Sequence, residues 1–342
     1  MRKGLLWAFI VGFCVVYTVS ECPIQLDPPS VVVRHGDPVS VNCTMSGEHK
    51  GIGWEASVAA VDMVTDVQFV TWRLEHLTDW NTGPRCYVNY MNNTEYAQCQ
   101  EKLQLIVYKT PDSVSISVVN HTGPMVEGEQ YQLQCEIENI APVRNLTVKW
   151  YKGETLENQT SYEDLTKTPV NVSSTLLITP TSTDDGEQYS CVAELELGPE
   201  GPEPPPEDKS EPLSINVHYP PFFSNPDDEA LEVTEEKEGV PLNCDAQGNP
   251  PPAFSWYSPS DHVEKVSQTL IISASLSPGD HVYTCTASNH LGENSKKFTV
   301  KVIPRGDQTV LWSLIGVGVG VAVLLIAGYV ILKSRADGNS II

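Results

Sequence analysis

In Val282-Tyr283-Thr284-Cys285-Thr286-Ala287-Ser288-Asn289 a tyrosine stands two residues before a cysteine. Upstream lies Cys244, and Trp256 falls between the two cysteines. A cysteine pair bridging two sheets, a tryptophan packed on the bridge and a tyrosine closing the corner mark a two-sheet β-sandwich. The same arrangement recurs at Cys135, Trp150, Tyr189 and Cys191. Two independent copies imply an all-β chain of tandem sandwiches. Each such loop closure contributes about 4 kcal/mol in the chain-entropy view of a disulfide.

The other cysteines follow from the compartment. Arg2 and Lys3 precede an apolar run, Leu5 to Val16, and the small residues around Ser20. This is the pattern of a secretory signal peptide over residues 1–20, and the run is too short for an uncleaved anchor. Cys14 leaves with it. Cys22, Cys43, Cys86, Cys99, Cys135, Cys191, Cys244 and Cys285 remain. An even number in an oxidising compartment implies a disulfide framework. A zinc site would need short Cys-x-x-Cys spacings, and there are none. The first four cysteines allow three pairings. If Cys99 were the late-strand partner, too few residues would follow it for a final hairpin. The expected pairs are therefore Cys43–Cys86 across the sandwich and Cys22–Cys99 between its first and last strands.

Toward the other end, Val310 to Leu332 carries no charge. As a helix it would span roughly 34 Å, enough for a hydrocarbon core of about 30 Å. Trp312 and Tyr329 sit near its ends, and Lys333 and Arg335 follow. The positive-inside bias places residues 333–342 in the cytoplasm and the rest outside: a single-pass, type I plasma-membrane protein. Gly316-x-x-x-Gly320 is a candidate helix-dimer face. Ser340-Ile341-Ile342 fits the end of a ligand that adds a strand to a PDZ domain.

Composition narrows the function classes. The chain has 44 acidic and 21 basic residues, a net charge of −23. That excludes nucleic acid as a natural partner and disfavours an anionic membrane surface. The eight histidines are dispersed, with no nucleophile motif or phosphate loop beside them. Catalysis is therefore disfavoured, and no cofactor or resident metal is expected.

The segment Val240–Val302 resembles immunoglobulin domains of the I-set or C2 type. It offers Cys244, then Gly248-Asn-Pro-Pro-Pro252, Ser255-Trp256-Tyr257 and the return through Cys285. The expected architecture is three tandem immunoglobulin-like β-sandwich domains followed by a single transmembrane helix. Their bounds are 21–109, 110–218 and 219–304, with the helix at 310–332. In the first domain Pro84 takes the place of the corner tyrosine.

The order of features also resembles the intercellular adhesion molecules, immunoglobulin-family ligands of leukocyte integrins. Cys86-Tyr-Val-Asn89 and Leu105-Ile-Val-Tyr-Lys-Thr-Pro111 look like that family's first domain and junction. Asn145-Leu-Thr-Val-Lys-Trp150 and the run from Cys191 to Gly201 look like its second. The family's first domain usually has an extra cysteine four residues after each core cysteine; here those places hold Gly47 and Tyr90.

The resemblance implies that Glu55, in Gly51-Ile-Gly-Trp-Glu-Ala-Ser57, completes the shell of a Mg²⁺ held by an integrin on an opposing cell. A hard, near-octahedral cation favours an anionic oxygen. The metal belongs to the partner. Alternation along a strand turns Trp54 inward and Glu55 outward. An outward glutamate is ordinarily just solvated, so the functional role rests on the resemblance. The family often has Thr-Pro after the glutamate, where this chain has Ala56-Ser57. The alternative is a receptor for another immunoglobulin-type or soluble ligand, without integrin binding.

Asn42, Asn92, Asn120, Asn145, Asn158 and Asn171 each open an Asn-x-Ser/Thr acceptor, all within the first two domains. Gly198 to Pro212 is acidic and proline-rich, and is expected in a long hairpin of the second domain. His218-Tyr-Pro-Pro221 marks the next boundary. Proline-bearing junctions favour a stiff rod.

Overall fold

The structure, a computed structural model, describes residues 22–92, 95–234, 239–258, 263–272, 276–304 and 325–326. The signal segment, the tail with its Ser340–Ile342 end, and Gly316 and Gly320 lie outside them. So does the apolar stretch at 310–332, except for the helical Leu325 and Ile326. Among the described residues no helix is long and apolar enough to cross a membrane. The chain divides into two compact units, with the division falling between Asn216 and Val217.

The first unit opens with β1 (Ile24–Asp27), β2 (Ser30–Arg34), β3 (Val39–Met45), β4 (His49–Glu55), β5 (Val61–Val64), β6 (Phe69–Leu74), β7 (Arg85–Asn92), β8 (Glu95–Lys102) and β9 (Gln104–Tyr108). They form one sheet ordered β1-β3-β6, a facing sheet β5-β4-β7-β8, and a parallel pair β2-β9. Period-two burial drives the layering. On β3, Val39, Val41, Cys43 and Met45 are buried while Ser40 is exposed. Pro28 and Pro29 supply no backbone N–H, so pairing with β3 stops at Asp27 and the chain resumes beside β9.

The core of this sandwich holds two tryptophans. Trp54 and Trp72 lie 6.2 Å apart at 35° and are almost wholly buried. A buried indole N–H needs an acceptor. Trp54 donates to the Val70 carbonyl (3.2 Å) and Trp72 to the Val58 carbonyl (3.1 Å). Cys43–Cys86 joins β3 to β7 across the layers, and Cys22–Cys99 ties the entry of β1 to β8.

The same unit continues through β10 (Ser113–Val118), β11 (Met125–Val126), β12 (Tyr131–Ile140), β13 (Leu146–Lys152), β14 (Thr155–Ser161), β15 (Val170–Ile178), β16 (Gln188–Leu195), β17 (Glu207–Lys209) and β18 (Leu213–Ser214). Sheet β10-β12-β15 is bridged to β14-β13-β16-β17 by Cys135–Cys191. Trp150 is buried and donates to the Ser174 hydroxyl (3.0 Å). The acidic, proline-rich stretch connects β16 to β17, which pair antiparallel at Val192 and Lys209. A 3-10 turn at Ser182–Asp184 is closed by a capping box between Thr181 and Asp184, and Lys152 ion-pairs with Asp184. The exit of β9 is fixed by Lys109 and Ala141, whose backbones exchange hydrogen bonds of 2.9 and 3.2 Å.

The second unit comprises β19 (Val217–Phe223), β20 (Glu229–Thr234), β21 (Val240–Asn243), β22 (Ala246–Asn249), β23 (Ala253–Ser258), β24 (Val263–Lys265), β25 (Thr269–Ile272), β26 (Gly279–Asn289) and β27 (Gly292–Ile303). One sheet runs β20-β27-β26-β23-β24, and β21 pairs with β25. Cys244–Cys285, Trp256, Phe298 and Tyr283 form its centre. The two boundary prolines sit inside β19, where the register with β22 shifts between Tyr219 and Phe222. A strand accepts proline at such an irregularity, because no ladder donor is required there.

Candidate functional site

Glu55 is the last residue of β4, opposite Arg85 of β7. Its neighbours Ile52 and Trp54 point into the core and anchor the strand. On the outer face the strand carries Gly51 and Gly53, and the register explains both. A Cβ at Gly53 would stand 2.6 Å from the Tyr87 Oη and 2.7 Å from the Val61 carbonyl oxygen. A Cβ at Gly51 would stand 2.4 Å from the Met63 Cγ. Side chains from β7 and β5 thus lie flat over β4, and Glu55 rises at the end of a strip with no side chains of its own. Asn89 Nδ2 donates to the Met63 Sδ (3.2 Å), and Met63 and Val64 remain exposed.

Glu55 is exposed, and among the described residues it makes no hydrogen bond or ion pair. Arg85 turns instead to the Gln100 Oε1 (3.4 Å). Burial pushes the Tyr87 phenol above its usual pKa, and the negative charges of Asp62 and Glu55 add to the effect. The loop after Glu55 is held twice. Trp72 donates to the Val58 carbonyl, and Ser57 donates to the Asp79 carboxylate (2.5 Å), which also accepts from the Asn81 N–H. Those two bonds, the Ser57 hydroxyl first, keep the Asp79 carboxyl below its ordinary value. The arrangement offers one free carboxylate on a rigid, partly apolar face, suited to ligating a cation held by something else. Among the described residues no cluster of His, Cys, Asp or Glu could itself hold a metal.

The other expected residues are spread over the first unit. Asn120 and Asn158 are exposed. Asn42 is half-buried and accepts from the Thr71 hydroxyl (2.7 Å), and Asn171 accepts from the Asn139 N–H (3.0 Å). Asn145 donates through Nδ2 to the Glu196 carbonyl (2.7 Å). The side chain of Asn92 lies outside the described residues. Sequence reasoning missed Gly51, Gly53, Tyr87 and Met63 as parts of the Glu55 face. The Gly-x-Gly spacing just before Glu55 was the available signal.

Two stretches, residues 111–194 and 223–302, each match a family model described as "Immunoglobulin domain". Vascular cell adhesion protein 1 of Rattus norvegicus is 28% identical over 216 residues, 61% of this chain and 28% of that protein. Intercellular adhesion molecule 1 of Macaca mulatta is 30% identical over 176 residues, 50% of this chain and 30% of that protein. Both stretches are immunoglobulin domains, and the chain is similar to these two adhesion proteins. The chain spans less than a third of the length of either relative. The solved ectodomain of mouse nectin-like molecule 4 is 18% identical, with a TM-score of 0.50, and covers 81% of this chain and 98% of that one. That likeness concerns the fold alone.

Proposed function

We propose that the chain is a cell-surface adhesion ligand that presents Glu55 to a Mg²⁺ site of an integrin on an opposing cell. Three tandem immunoglobulin sandwiches form the outer part, anchored by a membrane helix at 310–332 in a single-pass, type I arrangement. One observation carries the reading: the Glu55 carboxylate is exposed at the end of a core-anchored strand and is unspent on any internal partner among the described residues. A hard cation with one open position favours such an oxygen. Rigidity on the ligand side lowers the ordering cost of association.

The test is adhesion of integrin-bearing leukocytes to the immobilised ectodomain, with and without chelator. Glu55→Gln keeps the shape and removes the charge. At the centre of an interface this costs at least about 2 kcal/mol, or roughly thirtyfold in affinity. Glu55→Asp withdraws the oxygen by one methylene and also binds poorly. Chelator abolishes wild-type adhesion and leaves nothing more for Glu55→Gln to lose. Equal adhesion of wild type and Glu55→Gln, or adhesion that survives chelation, favours the other reading, a receptor for an immunoglobulin-type or soluble ligand.

A further inference from the structure

Between the two sandwiches of the first unit lies a cleft of about 600 Å³, within the roughly 300–1,000 Å³ of small-molecule sites. Strands β2 and β9 supply an apolar wall that includes Leu105. Trp80 lines it, half-buried, with its ring stacked on His35 at 4.4 Å and 9°. Thr82 also lines it. That residue is only 5% exposed, and its hydroxyl has no hydrogen-bond partner. A buried hydroxyl left unpaired costs about 1–3 kcal/mol, so such a group points to a missing partner. Lys102 and Arg144 stand in the lining, and neither is in an ion pair among the described residues, although acids outnumber bases twofold in this chain. An aromatic platform, an orphan hydroxyl and free N–H donors together fit a neutral, hydroxyl-rich ring.

The lining also contains an acceptor for such a ring. Asn145 is held at three points: its N–H donates to the Pro142 carbonyl (3.1 Å), its carbonyl accepts from the Glu196 N–H (2.8 Å), and its Nδ2 donates to the Glu196 carbonyl (2.7 Å). We propose that the glycan on Asn145 folds back into this cleft, with its first N-acetylglucosamine seated on Trp80 and hydrogen-bonded to the Thr82 hydroxyl. The inference rests on the extracellular reading above. Attachment joins Nδ2 to C1 of the sugar as the C1–O bond to a polyprenyl diphosphate donor breaks. One N–H proton leaves with the diphosphate, and the other keeps the Glu196 carbonyl as its acceptor. The glycan then acts as a wedge between the two sandwiches, whereas the acceptors at Asn120 and Asn158 stand in open solvent.

The test uses the secreted ectodomain, undenatured, and follows release of each glycan by peptide N-glycanase with site-resolved mass spectrometry. The Asn145 glycan should be released about tenfold more slowly than that of Asn158, the factor that about 1.4 kcal/mol of seating confers. Trp80→Ala should remove the difference and Trp80→Phe should retain most of it. If Trp80→Ala is not secreted, hydrogen exchange decides instead. Asn145→Gln should then lose protection at residues 104–108 relative to wild type, and equal protection overturns the wedge. Release at the Asn158 rate, or slow release indifferent to Trp80→Ala, also overturns it. An empty Asn145 beside occupied neighbours sinks this inference alone. Absence of glycan at every site sinks the extracellular reading itself.

Discussion

In the second unit Tyr283 stands buried two residues before Cys285, and Trp256 packs 5.1 Å from Phe298. In the first sandwich Pro84 replaces that tyrosine, Trp72 joins Trp54 in the core, and Cys22–Cys99 adds a second covalent tie. The outer faces differ as well. The second unit's β23 presents Ser255 and Tyr257 outward, ordinary strand side chains. The first sandwich's β4 presents two glycines roofed by its neighbours, then Glu55. A domain whose closure is secured from within and at its edge can give its outer face to recognition.

That contrast breaks most visibly at Trp72. Trp72→Ala should destabilise the first unit by about 3–5 kcal/mol in denaturant unfolding. A cost near zero would mean that the second tryptophan does not replace the missing corner. Removing the edge tie with Cys22→Ala and Cys99→Ala should cost about 2–4 kcal/mol in the same assay and leave the Glu55 face folded. Loss of secretion like that of a Cys43→Ala, Cys86→Ala chain would make the two bridges equivalent rather than primary and secondary.

The glycine strip gives a smaller effect. Gly53→Ala meets the Tyr87 ring and a backbone oxygen, so overpacking of about 1–3 kcal/mol is expected. Gly51→Ala meets chiefly the flexible Met63 and should cost less, as thermal melts of the pair would register. Smallest is Asp184. Burial raises its pKa, but hydrogen bonds from Lys152 and from Thr181 outweigh this and hold the carboxyl below the ordinary 3.8. A depressed folded value gives stability that is present above pH 3.8 and lost as pH falls through the folded value. Asp184→Asn should lose about 1 kcal/mol at neutral pH, as a broken cap does, and flatten the acid limb of the melting profile.

Much of this was legible in the sequence, because a disulfide and its tryptophan impose fixed spacings. Trp54, Trp150 and Trp256 were identified from their places between cysteines, and alternation alone set Glu55 outward. Trp72 was not singled out, since nothing in its local spacing separates a second core tryptophan from an exposed one. Gly51 and Gly53 were not singled out, because what they make room for, Tyr87 and Met63, is brought over them only by the strand register. Register is a long-range property, here spanning more than thirty residues between Gly53 and Tyr87. The stack of His35 on Trp80 was hidden for the same reason.

The bridge between Cys43 and Cys86 also bears on mechanics. On the proposed reading Glu55 carries an adhesive contact, which is pulled as well as formed, and a load applied there leaves the first sandwich through Lys109. Along the backbone that path runs through the whole stretch from Glu55 to Lys109. Through the bridge it runs back from Glu55 to Cys43, crosses to Cys86 and goes on, which is shorter by about 19 residues, or roughly 65 Å of extended chain. Even with every strand of the sandwich peeled apart, the path from Glu55 to Lys109 would lengthen by that much less.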